Sequence, residues 1–213
     1  MASLKSFLQG VAPILGVSLA TLYERQRALV RLGVLPPSTG AGPGSGVPFT
    51  AKNFAAILIS ILASDSLSDV DQSMVALFKA KPEITFDWSW GRFEKRSDGR
   101  LPFPTSFWSE LTPRGKPTLL RDVALVLSGY TAQVPVVEHE EASGPVWYIG
   151  DITGVRVSRV WRGQIVVEVG DSSFIASYHS SKNRPARAIS ITAEIEGDML
   201  DRLISFTKDA LSL

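Results

Sequence analysis

The chain has 213 residues, 45% of them hydrophobic and 20% charged, with no cysteine and a formal net charge of +1. That length suits one large domain or two small ones and carries enough apolar side chains for a sizeable core. The lack of cysteine excludes disulfides, thiolate zinc sites and a cysteine nucleophile, and it fits a reducing cytoplasm, the expected location. The net charge hides an asymmetry: residues 1–52 carry five basic side chains against one acidic, a net +4, and residues 53–213 carry 17 against 20, a net −3. A basic head on a mildly acidic body fits a nucleic-acid module joined to something else.

Residues 3–9 begin the first predicted helix, with Leu4, Phe7 and Leu8 facing inward. Gly10 and Pro13 are expected to break it, leaving Pro13 early in a second helix, where its missing amide costs little. This pattern is not that of a signal peptide, so no leader is expected. The stretch Val11 to Leu35, VAPILGVSLATLYERQRALVRLGVL, then reads as two short helices joined by a tight turn at Gly16, the second running on to Gly33. Ala12 is small enough for the helices to approach closely. Gly16 stands where the turn needs a left-handed backbone, and Ser18 is a good N-cap. Leu22, Leu29 and Leu32 mark the inner side of the second helix, and Tyr23, Glu24, Arg25, Arg27 and Arg31 are expected to project from the rest. A short helix with an arginine-rich outer side is what the major groove accepts. The same pattern suits a plain helical hairpin with a solvated face.

The pattern A-x-x-x-G-V-S-x-x-T-L-Y-x-R-x-R-A-L-x-x-x-G-V-L, from Ala12 to Leu35, resembles the winged helix-turn-helix of bacterial and phage regulators. It departs from them at Gln26, where a buried leucine is usual. The resemblance implies that the second helix reads double-stranded DNA. Ser18 and Thr21 would then lie near its start, against phosphates or bases, with Leu19, Ala20, Tyr23, Glu24 and Arg27 on its exposed side. Arg27 suits bidentate bonding to guanine, and Glu24 suits accepting from cytosine or positioning Arg27. Arg31 and Lys52 are expected on phosphates. One such module binds weakly, so a homodimer or larger homo-oligomer is expected.

Pro36 to Pro48, PPSTGAGPGSGVP, is too rich in glycine and proline for regular helix and reads either as the wing or as a flexible linker. Its glycine spacing matches neither the dinucleotide fingerprint nor the P-loop. Thr50 caps a predicted helix from Ala51 to Ala63 that is apolar nearly all round and must be buried on most sides, across the helical core or in a dimer seam. Its apolar run is about half of what a bilayer span needs, so no membrane is expected. Ser68 is expected to cap a further helix from Asp69 to about Ala80, with Val70, Met74, Leu77 and Phe78 inward, until Pro82 stops it. These helices would complete a winged helix-turn-helix domain over residues 1–81.

The second half changes to strand-like runs: Ile84–Trp88, Val134–Glu138, Val146–Ile149, Val155–Trp161, Gln164–Val169, Ser173–Tyr178 and Ala188–Glu194. Arg162-Gly163 and Gly170-Asp171 read as turns, making residues 155–178 a three-stranded meander. A helix from Pro117 to Leu127 precedes the sheet, and one from Asp198 to Leu211 follows it, with Leu200, Leu203, Ile204, Phe206 and Leu211 available to cover one face. The expected fold class is therefore α+β: the helical winged helix-turn-helix domain, then an antiparallel-sheet α+β domain over residues 82–213 for oligomerisation or for contact with a partner or ligand.

Catalytic signals are weak. His139, among Glu138, Glu140 and Glu141, reads as a solvated acidic turn rather than a metal site, because adjacent strand residues face opposite ways. His179, beside Ser180 and Ser181, reads as a polar loop rather than a nucleophile–base pair. The cluster Phe86, Trp88, Trp90 and Phe93, with Arg92, Lys95 and Arg96, interleaves aromatic and basic side chains: Phe86 and Trp88 read as core on the strand from Ile84, and Arg92 to Arg100, in the irregular segment 89–116, as a candidate second phosphate-contacting patch. No enzyme, cofactor or metal is expected. The sequence reads as a sequence-specific DNA-binding transcriptional regulator, and the Thr39–Val47 stretch after the motif resembles small regulators of phage-like elements; two alternatives are a recognition subunit of a phage packaging motor, and a protein-interaction or ligand-sensing protein that does not read DNA.

Overall fold

A computed structural model describes residues 3–38, 46–87, 117–130, 132–136, 146–158, 162–169, 172–179 and 192–212. Helices come first: α1 (Leu4–Leu15), α2 (Leu19–Arg31), α3 (Ala51–Ala63), a 3-10 turn at Leu67–Asp69 and α4 (Gln72–Phe78). Then follow β1 (Pro82–Asp87), α5 (Leu119–Leu127), β2 (Ala132–Val136), β3 (Val146–Ser158), β4 (Arg162–Val169), β5 (Ser172–His179), β6 (Thr192–Glu196) and α6 (Gly197–Ser212). The protein is thus mixed helix and antiparallel sheet, with helices leading and a helix closing the chain.

α1 runs unbroken through Gly10 and Pro13, where the sequence predicts a break. Leu4, Phe7, Leu8, Val11 and Ala12 are all buried along one stripe, and burying side chains of this kind is worth roughly 1.5–3 kcal/mol for each large one. That outweighs the loss of a single hydrogen bond at Pro13, near the end of the helix. Gly10 has a packing role: a Cβ there would stand 2.3 Å from the ring of Phe206 on α6, so the two helices meet closely only because the side chain is absent. Phe7 stacks on Phe49 with ring centres 4.0 Å apart and meets Phe54 edge-on at 4.9 Å.

α3 matches its sequence reading and is the central element. Thr50 caps it through the Asn53 amide, and eleven of its thirteen residues are buried. It packs against α2 on one side and against α5, β3 and β6 on others. It is therefore covered by the chain's own elements, and one buried core runs from Leu4 to Leu203 across residue 81, the expected domain boundary.

The sheet runs β1-β5-β4-β3-β2, with β6 also paired to β3, and every pairing is antiparallel. Its register lines up Ile195, Val155, Ile165 and Ala176 across four strands, and all four are buried. The predicted alternation of Val155 and Val157 against Arg156 and Ser158 holds: the valines are buried, the other two half-buried. On the outer face Arg156 bonds Glu194 of the neighbouring strand.

Several boundaries differ from the sequence reading. The runs at Val146 and Val155 are one strand, β3, because a register shift between Ile152 and Gly154 carries the ladder past its glycines. Arg162-Gly163 is not a turn but the start of β4, where Leu119 of α5 packs against Gly163. The cap near residue 68 is Ser66, which holds the 3-10 turn, and the helix proper begins at Gln72. β6 extends to Glu196, past the predicted end at Glu194, and its predicted start at Ala188 lies outside the described residues. Leu211 is 46% exposed, so the last turn of α6 does not cover the sheet. The Trp88–Arg96 cluster, the 89–116 segment, His139 with its glutamates, Ser180, Ser181, the Gly170-Asp171 turn and residues 39–45 lie outside the described residues.

One polar tie fastens the sheet to α5. Asp122 is fully buried, accepts from the Tyr178 hydroxyl at 2.7 Å and pairs with Arg121 at 2.9 Å. Burial first, then the charge and hydrogen bond of Asp122, push the Tyr178 hydroxyl well above the usual tyrosine range. Tyr178→Phe leaves a buried carboxylate short of one donor, and should cost about 1–3 kcal/mol at neutral pH. The pH dependence has a definite sign. Between the ordinary tyrosine value of about 10 and the raised folded value, only the unfolded chain has lost this proton, so stability falls as pH rises. Urea unfolding of both proteins should show the advantage over the variant intact below pH about 10 and shrinking above it by up to about 1.4 kcal/mol per pH unit. A constant difference across that window would mean Tyr178 is not held in its neutral form.

Candidate nucleic-acid interface

α1 and α2 are joined by three residues, Gly16 to Ser18. Gly16 takes φ +63°, as the turn requires, and its amide and that of Val17 return to carbonyls in the last turn of α1. Ser18 caps α2 by accepting from the Thr21 amide at 3.1 Å, and its hydroxyl also meets the Thr21 hydroxyl at 2.8 Å. α2 ends at Arg31, followed by Gly33 with φ +68°, a common way to close a helix.

Residues four, seven and eleven places apart share a helix face. Counting from Ala20, this places Ala20, Glu24, Arg27 and Arg31 on one stripe of α2, and none of the four is buried. The Arg27 side chain is 73% exposed and pairs with Glu24 at 2.6 Å. Exposed and spaced three apart, this pair contributes little to stability, but it gives the guanidinium a preferred direction. Of the predicted inner residues, Leu22 and Leu29 are buried and Leu32 is partly so; Ala28 is buried beside them and Gln26 is half-buried.

Three expectations need correction. Arg25 does not project outward: it is 2% exposed. Its guanidinium donates to the Ser60 carbonyl at 2.7 Å and the Ser64 carbonyl at 2.5 Å, at the C-terminal end of α3. Those carbonyls lie in the last turn and cap of a helix, where partners are scarce and the helix dipole favours a cation. Burial lowers the Arg25 pKa, while Asp65 and Asp69 oppose the shift; an arginine stays protonated regardless. Tyr23 and Leu19 are also not free on the outer face, since both are half-buried against the core. The Tyr23 ring lies 5.7 Å from the Lys5 ammonium. Ser18 remains exposed, with its hydroxyl engaged in the cap, and Thr21 is half-buried.

Lys52 is exposed at the start of α3. It lines a cleft with Leu32, Gly33 and Val34. Of the histidines, His179 is exposed at the end of β5, paired across the ladder with Arg162. Among the described residues no three His, Asp or Glu side chains come together as metal ligands, and no helix is long and apolar enough to cross a membrane.

The sequence does not reveal the role of Arg25, because one of three arginines on a polar helix reads as solvated. The only signal was its position between Leu22 and Leu29, on the flank of the apolar stripe. Two arginines two places apart should therefore behave differently. Arg25→Met should cost about 2–3 kcal/mol by urea unfolding, because it leaves buried carbonyls without charged donors. Arg27→Ala should stay within about 0.5 kcal/mol of the parent. Equal losses would mean that Arg25 does not hold α2 on α3.

No family model, curated protein or solved structure matches the chain.

Proposed function

We propose that this protein is a sequence-specific DNA-binding transcriptional regulator, in which α1, the Gly16 turn and α2 act as a helix-turn-helix and α2 enters the major groove. The observation that carries this reading is the outward stripe Ala20–Glu24–Arg27–Arg31 on a helix whose other side is anchored in the core. Ala20 is small enough for close approach to a base edge. Arg27, steered by Glu24, has the planar fork that bonds guanine bidentately. Arg31, at the far end of the stripe, suits a phosphate. The exposed start of α2, at Ser18 and Ala20, offers free amides and the positive end of a helix dipole to the backbone.

The glycine-rich segment Pro36 to Pro48 follows α2 in the chain order in which a wing follows a recognition helix. Near its end, the Val47 carbonyl accepts from the Leu4 amide at 2.9 Å, which ties that end to α1. A single stripe of this size gives modest affinity, so two copies acting on adjacent half-sites, with the sheet region joining them or meeting a partner, complete the proposal.

The test is selection of fragmented genomic DNA on purified protein at two salt concentrations, beside Arg27→Ala. The parent should enrich a shared motif that persists at the higher salt. The variant, folded to the same stability, should lose tenfold or more of its affinity for that motif, in line with about 1–3 kcal/mol for a bidentate base contact. Retention that collapses with salt and is equal in both proteins would reduce the interaction to phosphate attraction and overturn sequence reading. No enrichment at either salt would overturn DNA binding itself.

A further inference from the structure

A cleft of about 840 Å³ opens where the end of α2, the start of α3, α4 and α5 meet. Small-ligand sites fall between roughly 300 and 1,000 Å³ and combine apolar walls with a few convergent polar groups. This one has that composition. Leu32, Val34, Phe78 and Leu120 supply apolar wall, and Tyr130, 38% exposed, stands at its edge. The charged side chains on the lining are Lys52, Lys79 and Arg121, and among the described residues it holds no carboxylate.

The three cations are not equivalent. Arg121 is paired with buried Asp122 at 2.9 Å. Lys52 and Lys79 are exposed and make no ion pair among the described residues. The hydroxyls of Thr118 and Ser128 are occupied within α5, one accepting from the Arg121 amide and the other donating to the Ala124 carbonyl. Two ammonium groups therefore remain to receive a negative charge, beside the first residues of α3, where the helix dipole adds positive potential. Apolar wall and cationic rim together suit a molecule with an apolar body and an anionic head.

We propose that this cleft binds one small amphipathic anion per chain, with a carboxylate or similar head held by Lys52 and Lys79 and an apolar body laid against Phe78 and Leu120. The proposal stands apart from DNA reading. The wall that includes Leu32 to Val34 is the segment that closes α2, so an occupant would touch the end of that helix.

The probe pair is 2-naphthoate and 2-naphthalenemethanol, which share an apolar body and differ in the charge of the head. Each is titrated calorimetrically into the full chain, without DNA. The expected result is one naphthoate per chain, bound at least tenfold more tightly than the alcohol. The double variant Lys52→Ala/Lys79→Ala should erase that preference while its unfolding midpoint stays that of the parent, both lysines being exposed. Ala124→Trp, which fills the cleft, should weaken both probes. Absence of naphthoate binding, equal binding of the two probes, or a preference unchanged in the double variant would each overturn the proposal. So would unchanged binding to a folded Ala124→Trp.

Discussion

The structure depends on covering α3 from every direction. A thirteen-residue helix with apolar side chains nearly all round cannot lie on a surface, because each large side chain left in water forfeits roughly 1.5–3 kcal/mol. The chain meets this demand by laying α2 on one side of α3 and α5 with the sheet strands β3 and β6 on others. The elements before and after residue 81 are thereby drawn into one core. Phe54 of α3, Phe7 of α1 and Phe206 of α6 meet through the same cluster of rings, so α1 and α6 share one packing arrangement.

Two buried polar groups give this packing direction. Apolar contact is non-directional, and a helix on an oily surface can rotate or slide at small cost. Arg25 removes that freedom for α2, since its planar fork meets two carbonyls at one end of α3. Asp122 does the same for α5 against β5 through the Tyr178 hydroxyl. Each of these groups is expensive to bury alone and acceptable only with its partners in place. A displaced α2 would leave a guanidinium and two helix-end carbonyls unsatisfied together.

Anchoring one side of α2 in this way determines which residues remain available outside. With Leu22, Arg25 and Leu29 committed to the core, the helix can present only the stripe that includes Ala20, Glu24, Arg27 and Arg31. The proposed interface is therefore a consequence of the packing. Its rigidity is inherited from α3, and its chemistry comes from an arginine steered by a glutamate one turn earlier. The cleft where α2 ends has a different character, with apolar walls and lysines, and concerns small molecules rather than a polymer backbone.

Local physics was legible in the sequence. The Ser18 and Thr50 caps, the Gly16 turn and the all-apolar helix at 51–63 all rest on interactions among near neighbours, and all stand where the residues place them. The outer stripe of α2 follows from helical periodicity in the same way. What the sequence could not decide was anything set by a distant partner. Gly10 and Pro13 signal a break, yet α1 continues because Phe206, nearly two hundred residues later, and the core beneath reward a longer helix. Gly163 signals a turn, yet it belongs to a strand because Leu119 needs the space. Arg25 signals a solvated charge, yet it is buried because two carbonyls of α3 lack donors. The sequence by itself determined the caps, the periodicities and the helix that had to be buried, since these depend on residues a few places apart. Only the tertiary structure decided which glycine is packing rather than punctuation and which arginine is structural rather than exposed, because those outcomes depend on unsatisfied groups and empty space supplied from elsewhere in the chain.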